Sequence, residues 1–176
     1  KYAILISGRG SNMEALLAAG LPGECVGVIS NRPDAAGLAF ARRQGVPTAV
    51  VDHKAYADRD AFDAALAAEI EARGADLVLL AGFMRILTDR FVRQFAGRML
   101  NIHPSLLPAF PGLDTHAKAL ASGTRIHGAT VHFVTADLDV GPAVIQAAVP
   151  VRDDDDADAL ARRVLVQEHR IYPAAA

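Results

Sequence analysis

Short apolar runs alternate with helical periodicities through the first hundred residues, and that alternation leaves few architectures open. Tyr2 to Ile6, Glu24 to Ser30, Pro47 to Val51 and Asp76 to Leu80 are runs of strand length. Between them Met13, Leu16 and Leu17 recur at helical spacing, Ala35 to Gln44 is closed by Gly45, and Arg59 to Arg73 places Phe62, Leu66 and Ile70 four apart before stopping at Gly74. Glu69 and Arg73 are spaced to pair on the outer face of that helix. Fully apolar strands separated by helices predict a parallel sheet covered on both faces, a doubly wound α/β arrangement. A further helix is expected over Asp89 to Phe95.

The second half reads differently. Thr115 to Ser122 predicts a short helix. Ile126 to Thr135, carrying His127 and His132, and Ala143 to Val151 predict two strands joined through Gly141-Pro142 with no helix between them. Consecutive strands of that kind form an antiparallel hairpin appended to the parallel sheet. Asp153 to Asp156 suit a helix N-terminus, read as a capping and solvated run, and the helix is expected to end near Tyr172, before Pro173. On this helix Leu160, Val164 and Glu168 lie four apart, so the Glu168 carboxylate lies on the apolar line, as a paired structural acid or a ligand-recognition group.

With 176 residues the chain is expected to form one domain. Hydrophobic residues make up 52% and charged residues 22%, a globular balance. No apolar stretch approaches a membrane span, and the first apolar run is too short for a signal sequence, so a soluble cytoplasmic protein is expected. Cys25 is the only cysteine, which excludes an internal disulfide and a cysteine zinc site. The net charge of -2 supplies no overall basic field for nucleic acid, while a local patch can still hold a small phosphorylated molecule.

Three stretches carry chemistry. Gly8-Arg9-Gly10-Ser11-Asn12 stands between the first strand and the first helix, where backbone N–H groups and the helix dipole suit a phosphate. Met13 replaces the third glycine of a dinucleotide fingerprint and no Gly-Lys-Ser/Thr follows, so neither nucleotide motif is met. An ordinary βα turn with Ser11 or Asn12 as helix N-cap explains the same residues. Ala81 to Leu87 is an apolar loop after a strand, either core packing for the next helix or a wall for a flat ring. Asn101-Ile102-His103-Pro104-Ser105-Leu106-Leu107-Pro108 places Asn101 and His103 on one face of a strand, because side chains alternate, and its two prolines stiffen the loop beyond the strand. Asn101 as a turn cap beside a partly buried structural His103 is the alternative.

Together these stretches, with His127-Gly128-Ala129-Thr130-Val131-His132-Phe133 and Leu138-Asp139-Val140-Gly141-Pro142, strongly resemble the phosphoribosylglycinamide formyltransferases of purine biosynthesis, from Tyr2 to Pro173. The resemblance implies a doubly wound, mostly parallel sheet of Rossmann-like formyltransferase type, with an antiparallel C-terminal hairpin and helices on both faces. It implies a single domain over 1–176, with residues 1–100 binding the ribonucleotide and 101–176 binding folate and carrying the chemistry. The co-substrate would be 10-formyltetrahydrofolate and the acceptor glycinamide ribonucleotide, without metal, nucleic acid or membrane, in a monomer or homodimer.

Carried over by position, the resemblance makes Asn101, His103 and Asp139 catalytic and gives the ribonucleotide to Gly10, Ser11, Asn12 and Glu168. Folate would meet Arg59, Met84, Arg85, Ile86, Leu87 and Asn101, and the run Thr135, Ala136, Asp137, Leu138 and Asp139. His132 would support the site from behind, while His53, His116 and His169 receive no role. Val140 and Leu113-Asp114-Thr115-His116 depart from the usual pattern, which bears on loop shape.

The residue types suit the reaction. An amine attacking a formamide carbon creates an oxyanion and a positive nitrogen, so the site needs a donor and a proton acceptor. Asn101 can donate. His103 can take the amine proton or, as imidazolium, stabilise the oxyanion. Asp139 would favour the imidazolium and position a relaying water. A formyltetrahydrofolate deformylase uses water in place of the amine; the Ser7 to Asn12 loop and Pro104 count against it. A methionyl-tRNA formyltransferase would need an RNA-binding domain and a basic surface. A nucleotide-binding module without chemistry would have no use for the Asn101, His103 and Asp139 combination.

Overall fold

The computed structural model describes all 176 residues, which divide into two compact units, Lys1–Leu100 and Asn101–Ala176. In chain order the elements are β1 (Tyr2–Ile6), α1 (Ser11–Ala18), β2 (Cys25–Ser30), α2 (Ala36–Arg43), β3 (Thr48–Val50), α3 (Arg59–Ala72), β4 (Leu77–Leu80), α4 (Asp89–Gln94), β5 (Met99–His103), α5 (Thr115–Ser122), β6 (Ile126–Phe133), β7 (Ala143–Pro150) and α6 (Ala157–Ala175). The sheet is seven-stranded and mostly parallel, in the order β3-β2-β1-β4-β5-β6-β7. No helix is long and apolar enough to cross a membrane.

In the first unit β1 runs parallel to both β2 and β4, with Ile4 opposite Val28 on one side and Leu79 on the other. Every residue of β1 is buried, which is why its sequence shows no alternation. On α3 the Phe62, Leu66 and Ile70 stripe is buried, and each such side chain contributes about 1.5 to 3 kcal/mol of transfer free energy. Asp58 caps this helix by accepting the Ala61 N–H at 2.8 Å. Arg73 pairs with Glu69 at 2.6 Å, as the spacing predicts, and also donates to the Val26 carbonyl at 3.0 Å. The start of α1 corrects one expectation. Its N-cap is Gly10 in the left-handed region, φ 76°, without a side-chain cap; Ser11 and Asn12 lie inside the helix.

In the second unit β6 and β7 pair antiparallel, with Thr130 opposite Gln146, as the helix-free connection predicts. β6 ends at Phe133, so Thr135 belongs to the following loop. Helix α6 packs on both strands and buries Leu160, Val164, Glu168, Ile171 and Tyr172. Two expectations are corrected here. The helix continues through Pro173 to Ala175: the proline forfeits its own N–H bond, and the ladder resumes beyond it, where the Ala176 N–H donates to the Tyr172 carbonyl at 3.1 Å. The aspartate run is also not simply solvated. Asp156 caps α6 through the Ala159 N–H, and Asp155 forms a two-pronged pair with Arg163 at 2.7 Å while its side chain is 3% exposed. The Arg163 guanidinium holds the Asp155 carboxyl well below the usual carboxylate range.

Candidate active site

In the first unit a cavity of about 430 Å³ opens beyond the carboxyl ends of β1 and β2. The glycine loop forms one wall. At Gly10 the left-handed backbone disfavours any side chain, and a Cβ there would lie 2.9 Å from Met13 Cε. The loop is tied to α2 by the Gly37 N–H, which donates to the Gly8 carbonyl at 3.1 Å. Backbone N–H groups at the start of α1 therefore face a cavity also lined by Arg9, Arg32 and Arg85, a setting that favours an anion.

Behind this wall Ser7 is buried. It donates to Asn31 Oδ1 at 2.5 Å and accepts the Met84 N–H at 2.7 Å, joining the glycine loop to the loop after β4. His53 donates from Nδ1 to the Asn31 carbonyl at 2.8 Å. Asn31 and His53 line the cavity, although sequence reasoning passed over the first and gave the second no role. A signal was available: both come after strand ends, where ligands gather in doubly wound sheets.

The expected folate residues of this unit divide. Met84, 62% exposed, and Arg85 line the cavity with the glycine loop. Arg85 also stacks over Phe62 at 5.8 Å. Ile86 is exposed and Leu87 half-buried, and neither lines the cavity; Arg59 is exposed at the first position of α3.

In the second unit β5 presents Asn101 and His103 on one face, Asn101 half-buried and His103 buried. Asp139 enters from the loop after β6, at φ 57° and with its side chain 6% exposed. One carboxylate oxygen, Oδ2, lies 3.5 Å from His103 Nδ1 and accepts the Gly112 N–H at 2.9 Å. The other, Oδ1, lies 3.8 Å from His132 Nε2. The structure thus brings together the three residues expected to be catalytic, with His132 behind them.

The carbonyl partners determine where the ring protons lie. His132 Nδ1 is 3.0 Å from the Phe133 carbonyl, which can only accept, so Nδ1 carries a proton. In the neutral ring Nε2 then accepts from Asn101 Nδ2 at 3.3 Å, leaving the amide's second N–H free. Burial pushes the His132 pKa down, outweighing the Phe133 carbonyl and the Asp139 charge, so the neutral ring prevails. For His103, Nε2 donates to the Phe110 carbonyl at 3.0 Å, and its other nitrogen faces Asp139.

Next to this cluster His116 Nδ1 and His127 Nε2 share a proton at 3.1 Å. Burial, then the neighbouring His116 and His103, lower the His127 pKa to about 4. Burial also lowers that of His116. His116, given no role in the sequence, therefore belongs to a buried histidine pair. Thr135, Ala136, Asp137 and Leu138 are exposed, with Leu138 at 59% and Val140 at 68% offering apolar surface. Glu168 is buried on α6.

A family model described as formyl transferase matches residues 1–176. The chain belongs to the formyl transferase family. Among relatives of this formyl transferase, the phosphoribosylglycinamide formyltransferase of Escherichia coli is 49% identical over 97% of the chain and 82% of the relative. The trifunctional purine biosynthetic proteins adenosine-3 of Homo sapiens and Drosophila melanogaster are 47% and 46% identical over 99% of the chain, which spans only 18% and 13% of their lengths. Among solved structures, glycinamide ribonucleotide transformylase 1 from Symbiobacterium toebii superposes with a TM-score of 0.96 at 52% identity, covering 99% of this chain and 84% of that one. The phosphoribosylglycinamide formyltransferase of Coxiella burnetii, in complex with CHES, gives 0.94 at 45% identity, covering 98% and 83%.

Proposed function

We propose that this chain transfers the formyl group of 10-formyltetrahydrofolate to the amine of glycinamide ribonucleotide, yielding formylglycinamide ribonucleotide and tetrahydrofolate, in the cytoplasm. The observation that carries the chemistry is the Asn101, His103 and Asp139 cluster, with His132 orienting the amide.

The amine nitrogen attacks the formyl carbon and the carbonyl electrons move onto oxygen. The free N–H of Asn101 meets that oxyanion; such a donor is typically worth about 3 kcal/mol of barrier. His103 has one nitrogen committed to the Phe110 carbonyl, so its proton chemistry runs through Nδ1, beside Asp139. The attacking nitrogen loses its proton toward this pair. The folate nitrogen receives one as its bond to carbon breaks, by way of water held at Asp139.

Gly10, Ser11 and Asn12 hold the ribonucleotide phosphate through backbone N–H groups, supported by the left-handed cap and the arginine-lined cavity. Glu168 meets the glycinamide or ribose end. Met84, Arg85, Ile86 and Leu87, with Arg59 and the run Thr135 to Asp139, contact the folate; the exposed apolar groups of Met84 and Ile86 suit a flat ring. In this reading residues 1–100 carry the phosphate site and residues 101–176 the transfer chemistry.

Release of tetrahydrofolate from 10-formyltetrahydrofolate, followed with and without glycinamide ribonucleotide, tests the assignment. Release only in the presence of the ribonucleotide is expected. Equal release without it would make water the acceptor, and none in either case would leave a binding module.

A further inference from the structure

The tripeptide Phe110-Pro111-Gly112 touches both acidic and basic members of the cluster. The Phe110 carbonyl accepts from His103 Nε2 at 3.0 Å, and two residues later the Gly112 N–H donates to Asp139 Oδ2 at 2.9 Å. Between them stands a proline, whose ring fixes one of the few torsions separating the two contacts.

Phe110 itself adopts φ 51°, a left-handed conformation that a bulky side chain enters only when its surroundings impose it. Those surroundings are visible. The Phe110 ring meets His127 edge to face at 5.9 Å, and His127 is held in turn by His116, ring to ring at 5.2 Å and through the 3.1 Å hydrogen bond. His127 is 1% exposed and lies on β6, while His116 lies on α5, so two regular elements anchor the ring.

We infer that Phe110-Pro111-Gly112 is a clamp that sets the separation and ring orientation of His103 and Asp139, with Phe110 as its positioning residue, anchored by the His127–His116 pair. This rests on the reading of His103 and Asp139 as the reacting pair. The clamp acts in two ways. It holds a proton on His103 Nε2, which assigns the ring's exchangeable chemistry to Nδ1, and it presents the Asp139 carboxylate at a fixed distance from that nitrogen. Burial keeps His127 and His116 neutral near pH 7, so the anchor carries no charge that would compete with Asp139 for His103.

The test combines ¹⁵N NMR of the histidine rings in the full chain with steady-state kinetics. Wild type is expected to show His103 protonated on Nε2. Phe110→Gly removes both the ring and the left-handed penalty, so the loop folds but is no longer anchored. It is expected to alter the His103 ring pattern and lower kcat about tenfold or more, with KM for both substrates within about twofold. Phe110→Tyr, which retains the ring, should recover at least about half of kcat. Phe110→Ala provides a second variant, interpreted the same way, should the glycine variant fail to fold. An unchanged His103 pattern overturns the clamp, whatever happens to kcat, and so does a changed pattern with unchanged kcat. A wild type without transferase activity would overturn the proposed function instead, and the ring spectra alone would then decide the clamp.

Discussion

The glycine loop of the first unit and the Asn101 cluster of the second are built in opposite ways. The loop offers main-chain N–H groups, a left-handed glycine and flanking arginines, and at Gly10 the backbone and Met13 leave no room for a side chain. The cluster offers side chains only, and each is held by another group: Asn101 by His132, His132 by the Phe133 carbonyl, His103 by the Phe110 carbonyl, and Asp139 by the Gly112 N–H. A backbone cradle recognises charge and tolerates side-chain change. An interlocked side-chain cluster recognises a charge distribution that exists only briefly, and loses it when one member goes.

The largest effect belongs to the cluster. Asp139→Ala is expected to lower kcat at least about a thousandfold and Asn101→Ala about a hundredfold, with little change in KM for the ribonucleotide. An Asp139 variant with wild-type turnover in the formyl-transfer assay would break the contrast outright.

At the glycine loop the effect should fall on binding. Gly10→Ala forces a Cβ against Met13 in a left-handed backbone and is expected to raise KM for the ribonucleotide about tenfold while kcat stays within about threefold. Ser11→Ala keeps the N–H and should move KM by less than about threefold. If Ser11→Ala proves worse than Gly10→Ala, the cradle depends on side chains after all.

Acid should affect the side-chain cluster through its buried histidines. His127 titrates at about 4 when folded and at about 6.5 when unfolded, so between those values the unfolded chain binds more protons and stability falls as pH falls. Urea unfolding of His127→Phe at pH 7 and pH 5 should show a smaller loss between the two than wild type. The smallest effect is expected at Arg163, distant in kind from either chemistry. Its partner Asp155 has a depressed pKa, so the pair stabilises above the unfolded carboxylate value of about 4 and loses that contribution on further acidification. Arg163→Ala should lower Tm modestly at pH 7, with the difference from wild type shrinking toward pH 2.

Those two regions also differed in legibility. The parallel half was readable because β1 and β4 are apolar throughout and α3 keeps Phe62, Leu66 and Ile70 on one stripe, so composition and period agree with burial. The Asn101 and His103 pair was readable from strand alternation alone. Partnerships across distant sequence were not. Nothing local to His116 announces His127, and nothing in Asn31 announces Ser7 and His53; the first pairing arises when α5 packs beside β6, the others when strand ends converge. The same holds for Asp155, whose partner lies two helix turns away rather than in the aspartate run itself. Pro173 misled for a different reason: it removes a single N–H from the ladder, which resumes beyond it at the Ala176 N–H.

Asp139 stands at φ 57°, a backbone setting where glycine costs least. Replacing it with glycine would relieve about 1 kcal/mol of conformational cost and forfeit about 1.5 to 3 kcal/mol in the charge-assisted Gly112 hydrogen bond, a small net loss. A thermostability screen of a random library that scores survival of the fold therefore penalises this substitution only by that small loss, although it removes the cluster's only carboxylate. Engineering this scaffold for heat resistance needs turnover as the selected trait at every round.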